Sequence, residues 1–224
     1  MALIKWDQTG ERFYETGVDH GVLYPYSRAD NSYSPGVAWN GLTAINETPS
    51  GAEPTPIYAD NMKYLNLMSA EEFGATIEAY TYPDEFALCD GSAAPVPGVA
   101  VSQQERRNFG VSYRTLVGND VDATNHGYKL HLIWGALASP SEKAYATVND
   151  TPEAITFSWT VTTTPVAFDE ERKLKPTAHM VIDSTKVDTA KMAALEAVLY
   201  GDDSESPVQA RLPLPEEVLE LLAG

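Results

Sequence analysis

Ile155-Thr156-Phe157-Ser158-Trp159-Thr160-Val161-Thr162-Thr163 alternates without a break. Ile155, Phe157, Trp159 and Val161 fall on one side, and Thr156, Ser158, Thr160 and Thr162 on the other. A period of two puts large apolar groups on one face of a strand and hydroxyls on the opposite face, the pattern of a half-buried β-sheet. The same period recurs along the chain. In 128–134, Tyr128, Leu130, Leu132 and Trp134 oppose Lys129, His131 and Ile133; in 111–116, Val111, Tyr113 and Thr115 oppose Ser112, Arg114 and Leu116. In 75–80, Ala75, Ile77 and Ala79 oppose Thr76, Glu78 and Tyr80. Further strands are expected at 22–24, 37–45 and 179–183.

Helical signals are confined to the C-terminal part. Asp188 is placed to cap a helix over 189–200, whose Met192, Leu195, Val198 and Leu199 share a face, with Gly201 as its stop. A second helix is expected over 215–222, with Pro215 at its first position and Glu216 and Glu217 against the positive end of its dipole. It is too short to stand alone, so its leucines need a surface on this chain or on a neighbour. Turn formers mark loops at 46–56, 91–98 and 139–152. The expected architecture is one domain over 1–224: a β-sandwich or barrel with one packed α-helix, a long loop over about 46–67 and a C-terminal helical tail at 212–224.

Composition narrows the function. Thirty-two Asp and Glu against 15 Lys and Arg give a net charge of −17 in a chain of 224 residues, spread over both halves. Gripping nucleic acid requires clustered cations at the phosphates, and there is no such cluster. No apolar run is long enough to span a bilayer, and the acidity disfavours an anionic membrane surface. Lys5 and Asp7 stand where a secretory signal needs its apolar stretch, so cytoplasmic synthesis is expected. Cys89 is the single cysteine, which excludes an internal disulfide and a thiolate metal cluster.

Sequence motifs for chemistry are absent. The four histidines, His20, His126, His131 and His179, include no helical pair with metal-ligand spacing. His131 is expected on the second face of its strand, and His20 and His126, each followed by glycine, in turns. There is no nucleophile elbow and no phosphate-binding glycine loop, and Cys89 reads as a small buried hydrophobe. Paired carboxylates for glycoside hydrolysis are the one catalytic arrangement that composition leaves open. No catalytic, cofactor or metal residue is therefore assigned.

Several stretches, taken in order, resemble the major tail tube proteins of long-tailed, siphovirus-like bacteriophages. They are Gly10-Glu11-Arg12-Phe13-Tyr14-Glu15-Thr16-Gly17-Val18-Asp19-His20-Gly21-Val22-Leu23-Tyr24, Phe109-Gly110-Val111-Ser112-Tyr113-Arg114-Thr115-Leu116-Val117-Gly118-Asn119-Asp120 and His126-Gly127-Tyr128-Lys129-Leu130-His131-Leu132. Pro140-Ser141-Glu142-Lys143-Ala144-Tyr145-Ala146-Thr147-Val148-Asn149-Asp150, Pro152-Glu153-Ala154-Ile155-Thr156-Phe157-Ser158-Trp159 and Thr162-Thr163-Thr164-Pro165-Val166 continue the likeness, as do Ile182-Asp183-Ser184-Thr185 and Leu212-Pro213-Leu214-Pro215. The resemblance implies a structural virion protein and not an enzyme, assembled in the host cytoplasm as hexameric rings stacked into a hollow tube. Its expected partners are further copies of itself, a tape-measure protein, a tail terminator and distal tail proteins. DNA is expected to pass through the lumen without specific binding, and no cofactor or membrane is implied.

Within that frame Ile57, Tyr58, Met62, Tyr64 and Leu65 are expected at an inter-subunit contact, because the segment is apolar yet rich in turn formers. Thr76, Glu78, Thr156, Ser158, Thr160 and Thr162 are expected to face the lumen, where hydroxyls and carboxylates offer phosphate no fixed positive charge. Other readings stay open at this point: a tube protein of a contractile machine, an acidic glycoside hydrolase, and a carbohydrate-binding β-sandwich.

Overall fold

The computed structural model describes residues 3–33, 35–148, 150–151, 153–169, 172–203 and 207–223. The first strands are β1 (Tyr14–Ser27), β2 (Ser32–Tyr33), β3 (Val37–Ala38), β4 (Leu42–Glu47), β5 (Ser50–Gly51), β6 (Pro54–Ala59), β7 (Met62–Met68), β8 (Glu71–Glu72) and β9 (Gly74–Ala79). After a 3₁₀ turn at Asp84–Leu88 come β10 (Ala93–Val96), β11 (Val99–Val101), β12 (Phe109–Asn119), β13 (Ala123–Ala138), β14 (Phe157–Thr163) and β15 (His179–Asp183). Helices α1 (Thr189–Tyr200) and α2 (Pro215–Ala223) end the chain. The fold is mainly β, as expected. Nine strands form one antiparallel sheet in the order β2-β1-β12-β13-β14-β9-β4, with β15 beside β13 and β3 beside β1.

Strand β13 serves two parts of this sheet. Its residues 129–133 pair with β15, and residues 136–138 pair with β14. Between them Gly135 has φ +61°, and a Cβ there would lie 2.1 Å from the Thr164 carbonyl oxygen, so glycine is required. On the facing strand Phe109 lies opposite Ala136 and Val111 opposite Ile133. Two steps on β12 thus answer three on β13, which is a β-bulge. The added residue resets the alternation, so Ile133, Ala136 and Ala138 enter one core while Trp134 enters another.

The first core is enclosed by the curled sheet. Leu23 of β1, Val111 and Tyr113 of β12, Trp159 and Val161 of β14, and Ile77 and Ala79 of β9 converge there, with Leu42 and Ile45 of β4 against them. Strand β4 returns towards β1: a Cβ on Gly21 would lie 2.2 Å from Leu42 Cδ1, and the Trp39 N–H donates to the Gly21 carbonyl at 2.8 Å. Phe86 of the 3₁₀ turn is fully buried here beside Trp39, with ring centroids 4.6 Å apart. Cys89 is buried in the same cluster, and burial pushes its thiol up to about 12, so it packs as an apolar group, as expected.

The second core lies on the other face of β1, β12, β13 and β15, under the helices. Val22, Tyr24, Leu130, Leu132, Trp134 and Ile182 meet Met192, Leu195 and Leu199 of α1 and Val218 of α2. Two of the polar groups carried into this layer are paired, while the buried Tyr200 hydroxyl has no hydrogen-bond partner among the described residues. The Tyr24 hydroxyl donates to the Leu199 carbonyl at 2.9 Å, and the Trp134 indole N–H donates to the Pro213 carbonyl at 2.9 Å. Asp188 caps α1 by accepting from the Ala190 N–H at 2.9 Å. Helix α2 packs on its own chain, with Leu221 and Leu222 against this core. Lys191 donates from α1 to the last carbonyls of α2, at 2.9 Å from Leu222.

Several expectations change. The long loop at 46–67 is mostly strand: β4 runs on to Glu47, and β6 and β7 form a hairpin. Asp60 and Asn61, both with positive φ (50° and 60°), make the two-residue turn that suits the twist of a hairpin. The expected loop at 91–98 likewise holds β10, which turns at Gly98 into β11. The expected strand at 37–45 is two strands broken at Gly41, where φ is +78°. His20 lies within β1, in a left-handed conformation (φ 50°) where its register to β12 shifts, and His126 lies within β13; neither is in a turn. Gly224 of the expected tail, and Asn149 and Pro152 of the expected loop at 139–152, lie outside the described residues.

Gly135→Val is expected to lower stability by about 3 kcal/mol or more, since it adds left-handed strain to a clash with backbone. In a chain of this size that lowers Tm by about 6 °C or more. Gly98→Ala, where the same atom meets nothing within 4 Å, should cost about 1 kcal/mol. A wild-type melting curve for Gly135→Val would contradict the role of the bend.

Candidate functional site

The segment between β4 and β9 leaves the sheet as an arm. Its root continues the β4–β9 ladder: the Thr48 N–H donates to the Gly74 carbonyl at 2.7 Å, and β5 pairs with β8 through Ser50 opposite Glu72. Beyond it β6 and β7 form a two-stranded sheet of their own, and every residue of both strands is exposed. The five residues expected at a contact all lie here. Tyr58, Met62 and Tyr64 are 68%, 65% and 69% exposed, and Ile57 and Leu65 pair across the hairpin. Leu67 and Met68 extend the same apolar surface and had no distinguishing pattern in the sequence. An isolated two-stranded hairpin is marginal in water, and this one carries apolar side chains that the described residues do not cover.

Five of the six residues expected to face a lumen are also brought together, and Thr156 lies just before β14, outside the paired ladder. Ser158 lies opposite Glu78 and Thr160 opposite Thr76 across β14 and β9. Strand β4 continues the row, with Ala44 opposite Glu78 and Asn46 opposite Thr76. Thr156, Thr160 and Thr162 are exposed, while Ser158, Thr76 and Glu78 are half-buried. The result is one polar surface across three strands, carrying hydroxyls and the Glu78 carboxylate, while Trp159, Val161, Ile77 and Ala79 fill the first core from the opposite face. Because β4 and β9 run directly into β5 and β8, the arm springs from this polar surface.

A third constellation escaped the sequence pattern. Glu47 at the end of β4, His131 in β13 and His179 at the start of β15 meet at the root of the arm. His131 Nδ1 is 3.3 Å from Glu47 Oε1 and 3.4 Å from His179 Nε2, which is 3.6 Å from the same oxygen. The Tyr113 hydroxyl donates to Glu47 Oε1 at 2.9 Å. Burial holds both imidazoles below their ordinary pKa, and the Glu47 charge opposes this. The three residues are separated by tens of positions, so spacing alone gave no sign of them. The only sequence signal was His131 on the face it shares with Ile133.

Carboxylates at the cavities are already engaged. In a groove of about 560 Å³ lined by Val18, Trp39 and Tyr200, the one lining carboxylate is Asp19. Arg114 donates to both its oxygens, at 3.0 and 3.2 Å. In a second cavity Glu15 pairs with Lys129, and Asp183 accepts from Thr185 and pairs with Lys186. Burial raises the Asp183 pKa, but these partners outweigh it and hold the group below the usual carboxylate range. A glycosidase acid needs the reverse shift. No helix among the described residues is long and apolar enough to cross a membrane. Compared with protein-family models and with curated protein sequences, the chain matches none.

Exchanging Tyr58, Met62 and Tyr64 together for serine is expected to leave the Tm of the dilute monomer within a few degrees, because exposed substitutions each change stability by about 0.5 kcal/mol at most. Fluorescence of a dye that reports exposed apolar surface should fall. A loss of 10 °C or more, on a scale of about 2–4 °C per kcal/mol, would mean that the arm folds back on its own sheet.

Proposed function

We propose that this chain is a tail tube subunit of a long-tailed bacteriophage, a structural virion protein that forms hollow stacked rings for the passage of DNA. The observation that carries the reading is the arm, a hairpin of exposed aromatic, leucine and methionine side chains. Such a surface is stable in water when a second subunit covers it, and a ring or a stack of rings supplies one. The stretches of likeness to tail tube proteins, spread from Gly10 to Pro215, supply the class of assembly.

The polar surface of β14, β9 and β4 is the natural lining of the lumen. Its hydroxyls hydrate readily, Glu78 repels phosphate, and a subunit of charge −17 gives a moving polyanion nothing to bind. In this reading the tape-measure protein occupies the lumen before DNA does, and the tail terminator and distal tail proteins close the two ends. The tube lies in the virion, and its assembly takes place in the host cytoplasm.

Two measurements test the reading. Concentrated wild-type protein should form sedimenting polymers, and the Tyr58, Met62 and Tyr64 serine variant should stay monomeric with unchanged circular dichroism. Wild-type protein that remains a monomer under every condition, including with its tail partners, overturns the proposal. In phage-borne protein, Glu78→Lys and Thr160→Lys should allow tubes to assemble but slow DNA delivery more at low salt than at high salt, because screening shortens the reach of the new charge. Unchanged delivery at low salt would put this surface outside the lumen.

A further inference from the structure

The three contact distances among Glu47, His131 and His179 describe a nearly equilateral triangle of donor atoms. Its edges are 3.3, 3.4 and 3.6 Å. Zinc holds nitrogen and oxygen ligands at about 2.0–2.1 Å in a tetrahedron. The edge of a tetrahedron is about 1.6 times its centre-to-vertex distance, so the ligand atoms of such a site lie about 3.3–3.4 Å apart. The triangle already has the dimensions of one face of that polyhedron.

Orientation supports the same conclusion. His131 Nε2 lies 3.1 Å from Thr115 Oγ1; a proton on that nitrogen leaves the Nδ1 lone pair directed at the triangle, the arrangement that ligating histidines use. The Tyr113 ring stacks on His131 with centroids 4.5 Å apart, and the Phe73 ring stacks on His179 at 4.4 Å, so both imidazoles are held in place. The side chains of His131 and His179 are 9% and 14% exposed and that of Glu47 37%, so the open side of the triangle faces water beside the carboxylate.

We propose that Glu47, His131 and His179 bind one divalent transition-metal ion, zinc being the best match, with water as the fourth ligand. Two neutral imidazoles and one carboxylate suit zinc in both softness and charge. The role assigned to the ion is mechanical. Glu47 is the last residue of β4, so the ion joins that root of the arm to β13 and β15, and Phe73, the last residue before β9, rests on the ligand His179. Metal occupancy then determines how firmly the arm is held against the sheet.

The test uses the full chain, stripped with a chelator and dialysed against zinc at pH 7.5. One zinc ion per chain is expected, with Tm raised by about 5 °C or more at a hundredfold excess over Kd. Cobalt in place of zinc should give the visible absorption of a tetrahedral site. Glu47→Gln, at the most exposed of the three positions, and His179→Gln should each lower affinity at least about 100-fold, with folding checked by circular dichroism. His126→Gln, which removes a half-buried histidine beside Asp122 and outside the triangle, should leave the stoichiometry at one. Wild-type uptake below a tenth of an ion per chain overturns the proposal. So does uptake that survives in both Glu47→Gln and His179→Gln.

Discussion

The bend at Gly135 is the constraint on which the rest of the structure depends. A strand that stayed straight through this point would carry Trp134, Ala136 and Ala138 on the same face, and the curled sheet would lose Ala136 and Ala138 from its core. With the bulge, β13 gives Leu130, Leu132 and Trp134 to the helices and Ile133, Ala136 and Ala138 to the curled sheet. The Gly135 N–H donates to the Tyr33 hydroxyl at 3.0 Å, and its carbonyl accepts from the Thr164 N–H at 3.0 Å. The corner is therefore fully hydrogen-bonded, as a buried backbone must be. Strand β14 is positioned by this turn, β9 by β14, and β4 by β9.

Two surface features follow from that order. Strands β14, β9 and β4 have their apolar face committed to the inner core, so their other face is left polar. The same ladder that aligns Thr160, Thr76 and Asn46 continues into the arm, which places apolar side chains where no part of the described chain covers them. A hydrated surface and an uncovered apolar hairpin on the same strands suit a subunit that lines a channel and holds a neighbour. Helix α2 leaves no such surface, because its leucines pack on its own core and Lys191 bonds to its end.

Much of this was legible in the sequence, for a reason that also marks the limit. Alternation records burial on one face, so β9, β12, β13 and β14 were visible, as were α1 through its cap and α2 through Pro215 and its glutamates. The arm has neither face buried against the described residues, so β6 and β7 carry no alternation, and Pro54 and Pro56 of β6 read as loop. The exposed apolar side chains of the hairpin were nonetheless legible, because such groups in a turn-rich segment are anomalous wherever the chain goes. Gly135 was invisible because a bulge interrupts the period that would reveal it. The Glu47, His131 and His179 triangle was invisible because register between distant strands, and not spacing along the chain, brings its members together.

The central claim, that the chain builds a hollow tube, is tested most directly by negative-stain electron microscopy of the concentrated, purified protein. Stacked rings of uniform diameter with a stain-filled lumen are the predicted result. Fields of separate particles of monomer size, unchanged by concentration or by added tail partners, would contradict it.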